Sequence, residues 1–203
     1  MSKNVDDTVR ERILNVSIKL FLAHGFHGTT VKELTDTAGV AKGTLYWYFK
    51  SKNQLLEEIL DKFSKELYDG AVKKVGGCKG GFIRKFKLFY KFITELAREK
   101  RELLLVSNTL LGELMGSGTE AEKKMREYHT KLHNFTKALL DDGKKEGIIG
   151  TYLDTNLHAH IIMANFIGMH LQWCLQGDLF DATAYARSFR TSIFRGLGIE
   201  DIG

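Results

Sequence analysis

Proline is missing from the 203-residue sequence, and no segment has the strict apolar–polar alternation of a half-buried strand. With no proline ring to interrupt helix-period patterns, the expectation is an all-α fold. Cysteine occurs twice, at Cys78 and Cys174, too far apart and too few for a disulfide framework, which fits a reducing, cytoplasmic setting. The only long apolar run, Ile161 to Leu175, is interrupted by Asn165, His170 and Gln172 and falls short of the ~20 residues that a bilayer span requires. The opening stretch MSKNVDDTVRER has neither the apolar core nor the cleavage site of a secretory signal. Catalytic signatures are missing too: there is no nucleophile elbow, no H-E-x-x-H, no dinucleotide-binding glycine set and no paired C-x-x-C. Neither an enzyme nor a cofactor is expected. What is there is ordinary for a folded chain, 43% hydrophobic and 27% charged residues with a mean hydropathy of -0.20. A net charge of +5 and a pI near 9.1 permit a polyanionic partner, and the placement of the charge matters more than its sum.

Helical periodicity runs along nearly the whole chain. Val9, Ile13, Val16, Leu20 and Phe21 recur at helical spacing until His24 and Gly25, where glycine can take the left-handed cap conformation, so a first helix covers roughly 7–24. Thr30 followed three residues later by Glu33 is a capping box that opens a second helix through Thr37. Ala38-Gly39-Val40 then breaks the chain tightly, and residues 41–48 make a short third helix. Ser51 and Gln54 repeat the capping-box spacing before Leu55, Leu56, Ile59, Leu60, Phe63 and Leu67 carry a fourth. The second and third helices are too short to stand alone and must be held by packing.

Two short helices joined by a glycine-containing turn and braced by longer neighbours have the form of a helix-turn-helix unit. Leu34, Ala38, Val40, Leu45 and Phe49 supply its inner face. That leaves Lys42, Gly43, Thr44, Tyr46 and Trp47 on the outside of the third helix. Exposed aromatics beside lysines need a partner to cover them. A DNA groove is such a partner.

The run ILNVSIKLFLAHGFHGTTVKELTDTAGVAKGTLYWYFKSKNQLLEEIL resembles the amino-terminal module of the tetracycline-repressor (TetR) family of bacterial transcription regulators. The matching elements are the LF, GF and TT of LFLAHGFHGTTVKEL, the AGV turn, the KGTLYWYF recognition helix, and the SK and LL that begin the fourth helix, at fixed separations over residues 8–60. The resemblance implies that Thr30, Tyr46, Tyr48 and Lys52 hold backbone phosphates, Thr30 with its hydroxyl and backbone N–H at a helix start. It leaves base reading to Lys42, Gly43, Thr44 and Trp47: lysine can donate to guanine, glycine permits close approach, and threonine or indole can pack on a thymine methyl. Two positions depart from the family. Ala41 stands where a capping serine is common, so a side-chain cap is expected to be missing, and Lys50 stands where proline is common.

The expected division is a DNA-binding domain over 1–52, a connecting fourth helix over 52–75, and an effector-binding and dimerisation domain over 76–203. KKVGGCKGGF, residues 73–82, reads as a hinge or linker, since the spacing of a phosphate-binding loop is lacking. Beyond it Phe82, Phe86, Phe89, Ile93 and Leu96 form a stripe, Leu103 to Leu114 a shorter helix, and Thr119 with Glu122 a third capping box ahead of a helix that ends at Gly147. Residues 155–176 are apolar nearly all round and need cover on every side, which suggests a second subunit on one of them. Tyr185, Phe189, Ile193 and Leu197 of the last helix offer a further apolar face, so a homodimer through the last two helices is expected, as the family usually forms. Candidate effector-pocket residues are Phe89, Phe92, Leu110, Met125, His129, Phe166, Met169, His170 and Trp173, where aromatic, flexible and weakly polar groups could converge. The basic face of the helix after the linker reads as solvated, with an acidic effector such as an acyl-CoA as its other use. His129 and His133 have metal-ligand spacing, yet without a supporting cysteine or acidic pair no metal site is expected. The reading is a repressor that a small apolar or amphipathic effector releases from a pseudopalindromic duplex operator. An effector-independent architectural DNA-binding protein and a metal-responsive regulator are the alternatives.

Overall fold

The computed structural model describes the backbone of residues 2–199 and, within that span, the side chains other than those of residues 2–7, 174, 178 and 182. The described elements are all helical: α1 (Ser2–Gly28), α2 (Val31–Ala38), α3 (Lys42–Tyr48), α4 (Lys52–Ser64), a π-helical turn (Lys65–Asp69), α5 (Gly70–Gly76), α6 (Phe82–Glu99), α7 (Arg101–Leu114), α8 (Glu120–Lys145), α9 (Thr155–Gln176), a short 3-10 turn (Gly177–Leu179) and α10 (Ala182–Gly196). None of the described helices is long and apolar enough to cross a membrane. Two compact units emerge from one chain, the first made of residues 1–64 and 100–127, the second of 65–99 and 128–203. These do not coincide with a division at residues 52 and 76, because α7 and the start of α8 return to the amino-terminal unit.

In the first unit, α1 is broken at Gly25, whose φ of 73° and ψ of 172° lie outside helical space, so the regular helix stops near His24. Its buried side chains are Ile13, Leu14, Ser17, Ile18 and Phe21, while Val9, Val16 and Leu20 are half-buried. The buried stripe is thus rotated from the one expected, drawing in Leu14 and Ile18. Ser17 is accommodated there by donating to the Ile13 carbonyl at 2.7 Å. Against this helix pack α2, α4 and α7.

The fourth helical run ends within one residue of the expected 75, inside the segment 73–82 that also read as a linker. From α4 it continues through the π-helical turn into α5 as far as Gly76, so the loop is confined to residues 77–81 rather than 73–82. Leu67, Ala71 and Val75 recur at i, i+4 spacing and are buried, and that packing outweighs the ~1 kcal/mol helix penalty of each glycine.

In the second unit α6 buries Phe82, Phe86, Phe89, Ile93 and Leu96, as the stripe predicted, and Tyr90 and Ala97 with them. Its start is capped from the residue that follows α8: the Glu146 carboxylate accepts from the Phe82 amide at 2.8 and 3.0 Å. The inner face of α9 is Ala159, Ile162, Met163, Phe166, Met169 and His170. On α10, Ile193, Phe194 and Leu197 are buried, and Phe189 stacks on Tyr90 at 5.9 Å. The apolar side of α10 therefore serves its own unit, a correction to the reading of it as an outward face.

Candidate nucleic-acid interface

The interface begins with the α2–α3 pair. Thr30 caps α2 in a complete capping box: its hydroxyl oxygen accepts from the Glu33 amide at 3.1 Å, and the Glu33 carboxylate accepts from the Thr30 amide at 3.4 Å. Glu33 also meets His24 at 2.8 Å. At the other end Gly39 has φ 62° and ψ 43°, and its amide donates back to Thr35 and Asp36. A Cβ there would touch nothing within 4 Å, so the requirement is conformational: an L-residue in that region costs ~1–2 kcal/mol. Leu34, Ala38, Leu45 and Phe49 are buried and Val40 is half-buried, which brings the expected inner face together and orients α3.

What α3 turns outward is set by that inner face. Trp47 is 80% exposed and Tyr46 42%, values far above those of a side chain serving a core. The Lys42 ammonium lies 5.9 Å from the centre of the Tyr46 ring, a cation–π pairing that keeps the charge on this face. Gly43 is exposed, with nothing within 4 Å of where its Cβ would lie, and Thr44 and Tyr48 are half-buried at the edge. Ala41 provides no side-chain cap, as its departure from the family pattern predicted. Lys50 is exposed, its amide donating to Gln54 at 2.6 Å.

Lys52 is placed differently from what the sequence alone suggested. Its ammonium donates to the carbonyls of Phe26 and Thr29, both at 2.7 Å, and sits 4.4 Å from the Phe26 ring. Burial lowers its pKa below the ordinary lysine value, partly opposed by the negative charge of Glu113. Two of its three donors thus brace the segment that delivers Thr30. Thr30 likewise has its amide engaged by Glu33, which leaves the hydroxyl hydrogen as its free donor.

Glu113, on α7, was missed by sequence reasoning. Its carboxylate accepts from the Phe26 amide at 3.1 Å through each oxygen and from the His27 amide at 3.2 Å. A Cβ on Gly25 would come within 2.5 Å of it, so the left-handed glycine also makes room for the acid. No local motif marks a contact between residues 86 or 87 positions apart. Arg10 is a further support, pairing with Glu58 and lying 5.2 Å over the Phe49 ring.

The expected effector residues are distributed over both units. Leu110 and Met125 are buried in the first; Phe89, Phe92, His129, Phe166, Met169, His170 and Trp173 belong to the second. Within the second, Phe89 and Phe166 meet edge-to-face at 6.1 Å, and Phe166 lies 5.7 Å from Tyr90. His170 is 4% exposed, hydrogen-bonded to the Phe166 backbone through one ring nitrogen, with its Nε2 buried and unpartnered. Burial lowers its pKa and keeps the ring neutral, so Nε2 presents a lone pair. Nearby on the same helix the Asn165 amide nitrogen donates to the Tyr185 hydroxyl at 2.7 Å, while its Oδ1 is also buried without a partner. Phe92 and Trp173 are half-buried, and burial likewise lowers the pKa of half-buried His129. His133 and His160 lie with their ring centres 4.1 Å apart, tilted by 32°, but no group of three or more potential metal ligands occurs among the described residues.

A capped short helix, a left-handed glycine turn and a second short helix with its apolar side inward and its aromatic and basic side outward define a helix-turn-helix DNA-binding protein. Residues 13–59 match the profile of the bacterial regulatory proteins of the tetR family. The transcriptional regulator AcrR of Shigella flexneri is 24% identical over 192 residues, covering 93% of this chain and 88% of its own. The fatty acid metabolism regulator protein of Bacillus subtilis is 26% identical over 190 residues, covering 92% and 94%. The crystal structure of the regulator FadR from Bacillus subtilis in complex with stearoyl-CoA shares the fold at a TM-score of 0.77, with 22% identity and coverage of 92% and 98%. Residues 13–59 are thus a DNA-binding module of the tetR type, and along most of its length the chain is similar to transcriptional regulators that carry that module.

Proposed function

We propose that the protein is a homodimeric repressor that leaves a pseudopalindromic operator when a small apolar or amphipathic effector enters its second unit. Lys42, Gly43, Thr44 and Trp47 read base edges, while Thr30, Tyr46 and Tyr48 hold phosphates. Lys52 acts chiefly by fixing the segment before Thr30, and its remaining donor and charge face the phosphates. The domain roles remain those of the sequence reading, DNA binding by the amino-terminal helices and effector binding with dimerisation by residues 76–203.

The effector half rests on one observation: the neutral His170 ring, 4% exposed, has a buried, unpartnered Nε2. Buried polar atoms are nearly always hydrogen-bonded, and a ligand carrying a hydroxyl or N–H would meet that need. The stearoyl-CoA held by the Bacillus subtilis regulator of the same fold supports an amphipathic ligand as the class. Support for the dimer comes from α9, where Leu157, Ile161, Leu171 and Leu175 lie exposed at 51–75% along one side. A stripe of that kind is covered when two copies meet about a two-fold axis, which also presents two copies of α3 to two half-sites. Mass spectrometry of small molecules retained through purification, followed by operator titration with the compound found, tests the proposal. The expected result is weaker operator binding by a protein that stays folded; an effector that tightens binding refutes release.

A further inference from the structure

The loop between α5 and α6 borders an open groove of ≈ 900 Å³, lined by Lys73, Lys74, Lys79, Arg84, Lys87 and Lys91 without any acidic side chain. Its apolar part is supplied by Leu88 and Phe92. Two glycines shape it. A Cβ on Gly70 would lie 2.6 Å from the Phe92 ring, and one on Gly80 would lie 2.8 Å from Cδ of Arg84. Both distances are too short for real atoms, so the glycines let an aromatic ring settle against α5 and let an arginine cross the loop.

Part of this charge has no role in the fold among the described residues. Lys73 and Lys74 sit in the last turn of α5, where cations offset the helix dipole, but that does not apply to Lys79 in the loop. Lys91 meets Glu95 of the same helix at 3.7 Å. Lys73, Lys74 and Lys79 meet no carboxylate among the described residues. Gathering like charges around a concave, partly apolar surface raises the local concentration of anions.

We propose that this groove is a binding site for a small phosphorylated amphiphile, its phosphate held by Lys74, Lys79 and Arg84 and its apolar part lying on Leu88 and Phe92. The chemistry follows from the lining: cations able to give charge-assisted hydrogen bonds to phosphate oxygens, next to an aromatic surface. Nothing in it depends on the groove's occupant being the effector that controls operator binding.

Calorimetric titration of the full chain tests the site with octyl phosphate, inorganic pyrophosphate and octanol as probes. Octyl phosphate binds most tightly, pyrophosphate less so, octanol not detectably, and both anions weaken at high salt. The Lys74→Gln/Lys79→Gln double variant, which changes exposed side chains only, loses about tenfold or more for both anions, the scale of a charge-assisted contact. Phe92→Ala weakens octyl phosphate while leaving pyrophosphate unchanged. Superimposable titrations of wild type and double variant overturn the site, as does octanol binding as tightly as octyl phosphate. Binding to phosphatidic acid vesicles without binding of monomeric octyl phosphate means a membrane-docking surface and also overturns it. Operator affinity is measured in parallel without probe: a loss in the double variant assigns the lysines to DNA and refutes the proposal, whereas a wild-type protein that fails to bind operator leaves the groove standing and removes the DNA-contact assignment instead.

Discussion

Gly43→Ala separates what α3 needs for folding from what it needs for DNA. Gly43 is exposed, and a Cβ there meets nothing within 4 Å. The methyl therefore costs nothing in the free protein and restricts the unfolded chain, a gain of up to ~1 kcal/mol in a helix. For a chain of this size that gain raises the melting temperature by about 2–4 °C. Under the proposed assignment the position faces a base edge or sugar at close approach, and the added carbon would push α3 out of register. Losing one good base contact costs ~1–3 kcal/mol, or roughly a 5- to 150-fold weaker operator complex. Gly112→Ala is the control, since Gly112 is also exposed within a helix, α7, with open space at its Cβ. It should gain similar stability and keep operator affinity. Thermal melts followed by circular dichroism and fluorescence anisotropy on an operator duplex at fixed salt supply the two readouts. A Gly43→Ala protein that binds operator within twofold of wild type refutes the assignment of Gly43 to the interface.

Three further outcomes follow from the geometry. Glu113→Ala leaves the Phe26 and His27 amides without their carboxylate, costing ~1 kcal/mol each at this partly exposed site; a melting curve unchanged from wild type contradicts the bracing role. Glu122 is held at about 2 by the Arg126 guanidinium and the amides of Gly116 and Gly118, so its stabilisation is complete above the ordinary value of 4.5 and is lost as pH falls toward 2. Denaturant midpoints measured over that range should fall more steeply in wild type than in Glu122→Gln, and parallel curves count against the contact. Ile161→Asp with Leu171→Asp places charge on the exposed stripe of α9, which should leave the monomer folded and abolish dimers in sedimentation; dimers that persist locate the interface elsewhere.

The helix-turn-helix was legible because its signals are local. Thr30 and Glu33, Thr119 and Glu122, and Gly39 each act within a few residues of themselves; the structure contains the full box at Thr30, the left-handed turn, and at Thr119 the forward bond alone, the Glu122 carboxylate turning instead to the Gly116 and Gly118 amides. The outward placement of Tyr46 and Trp47 followed from the inward placement of Leu45 and Phe49. What was not legible depends on contacts distant in sequence. Glu113 looks like any surface acid of α7 until the fold brings it to Phe26. Lys52 matched a phosphate-binding pattern, but the carbonyls that occupy it are more than twenty positions away. The fourth helix was expected to residue 75, but the linker was started too early, at 73, because the glycines were visible while the burial of Val75 was not. Periodicity also placed the apolar side of α10, but it assigned to a second subunit what Ile193 and Phe194 bury in their own unit.

The seven-residue α3, with no side chain closing its first turn, has little helical stability of its own. Its amides should exchange with solvent deuterium at the rate set by opening of the Leu34–Leu45–Phe49 cluster, with no slower protection that belongs to α3 alone. Operator affinity is thereby tied to the integrity of the amino-terminal core: any change that loosens that core, however far from the recognition surface, takes the reading head out of shape and relieves repression without touching a single residue that meets DNA.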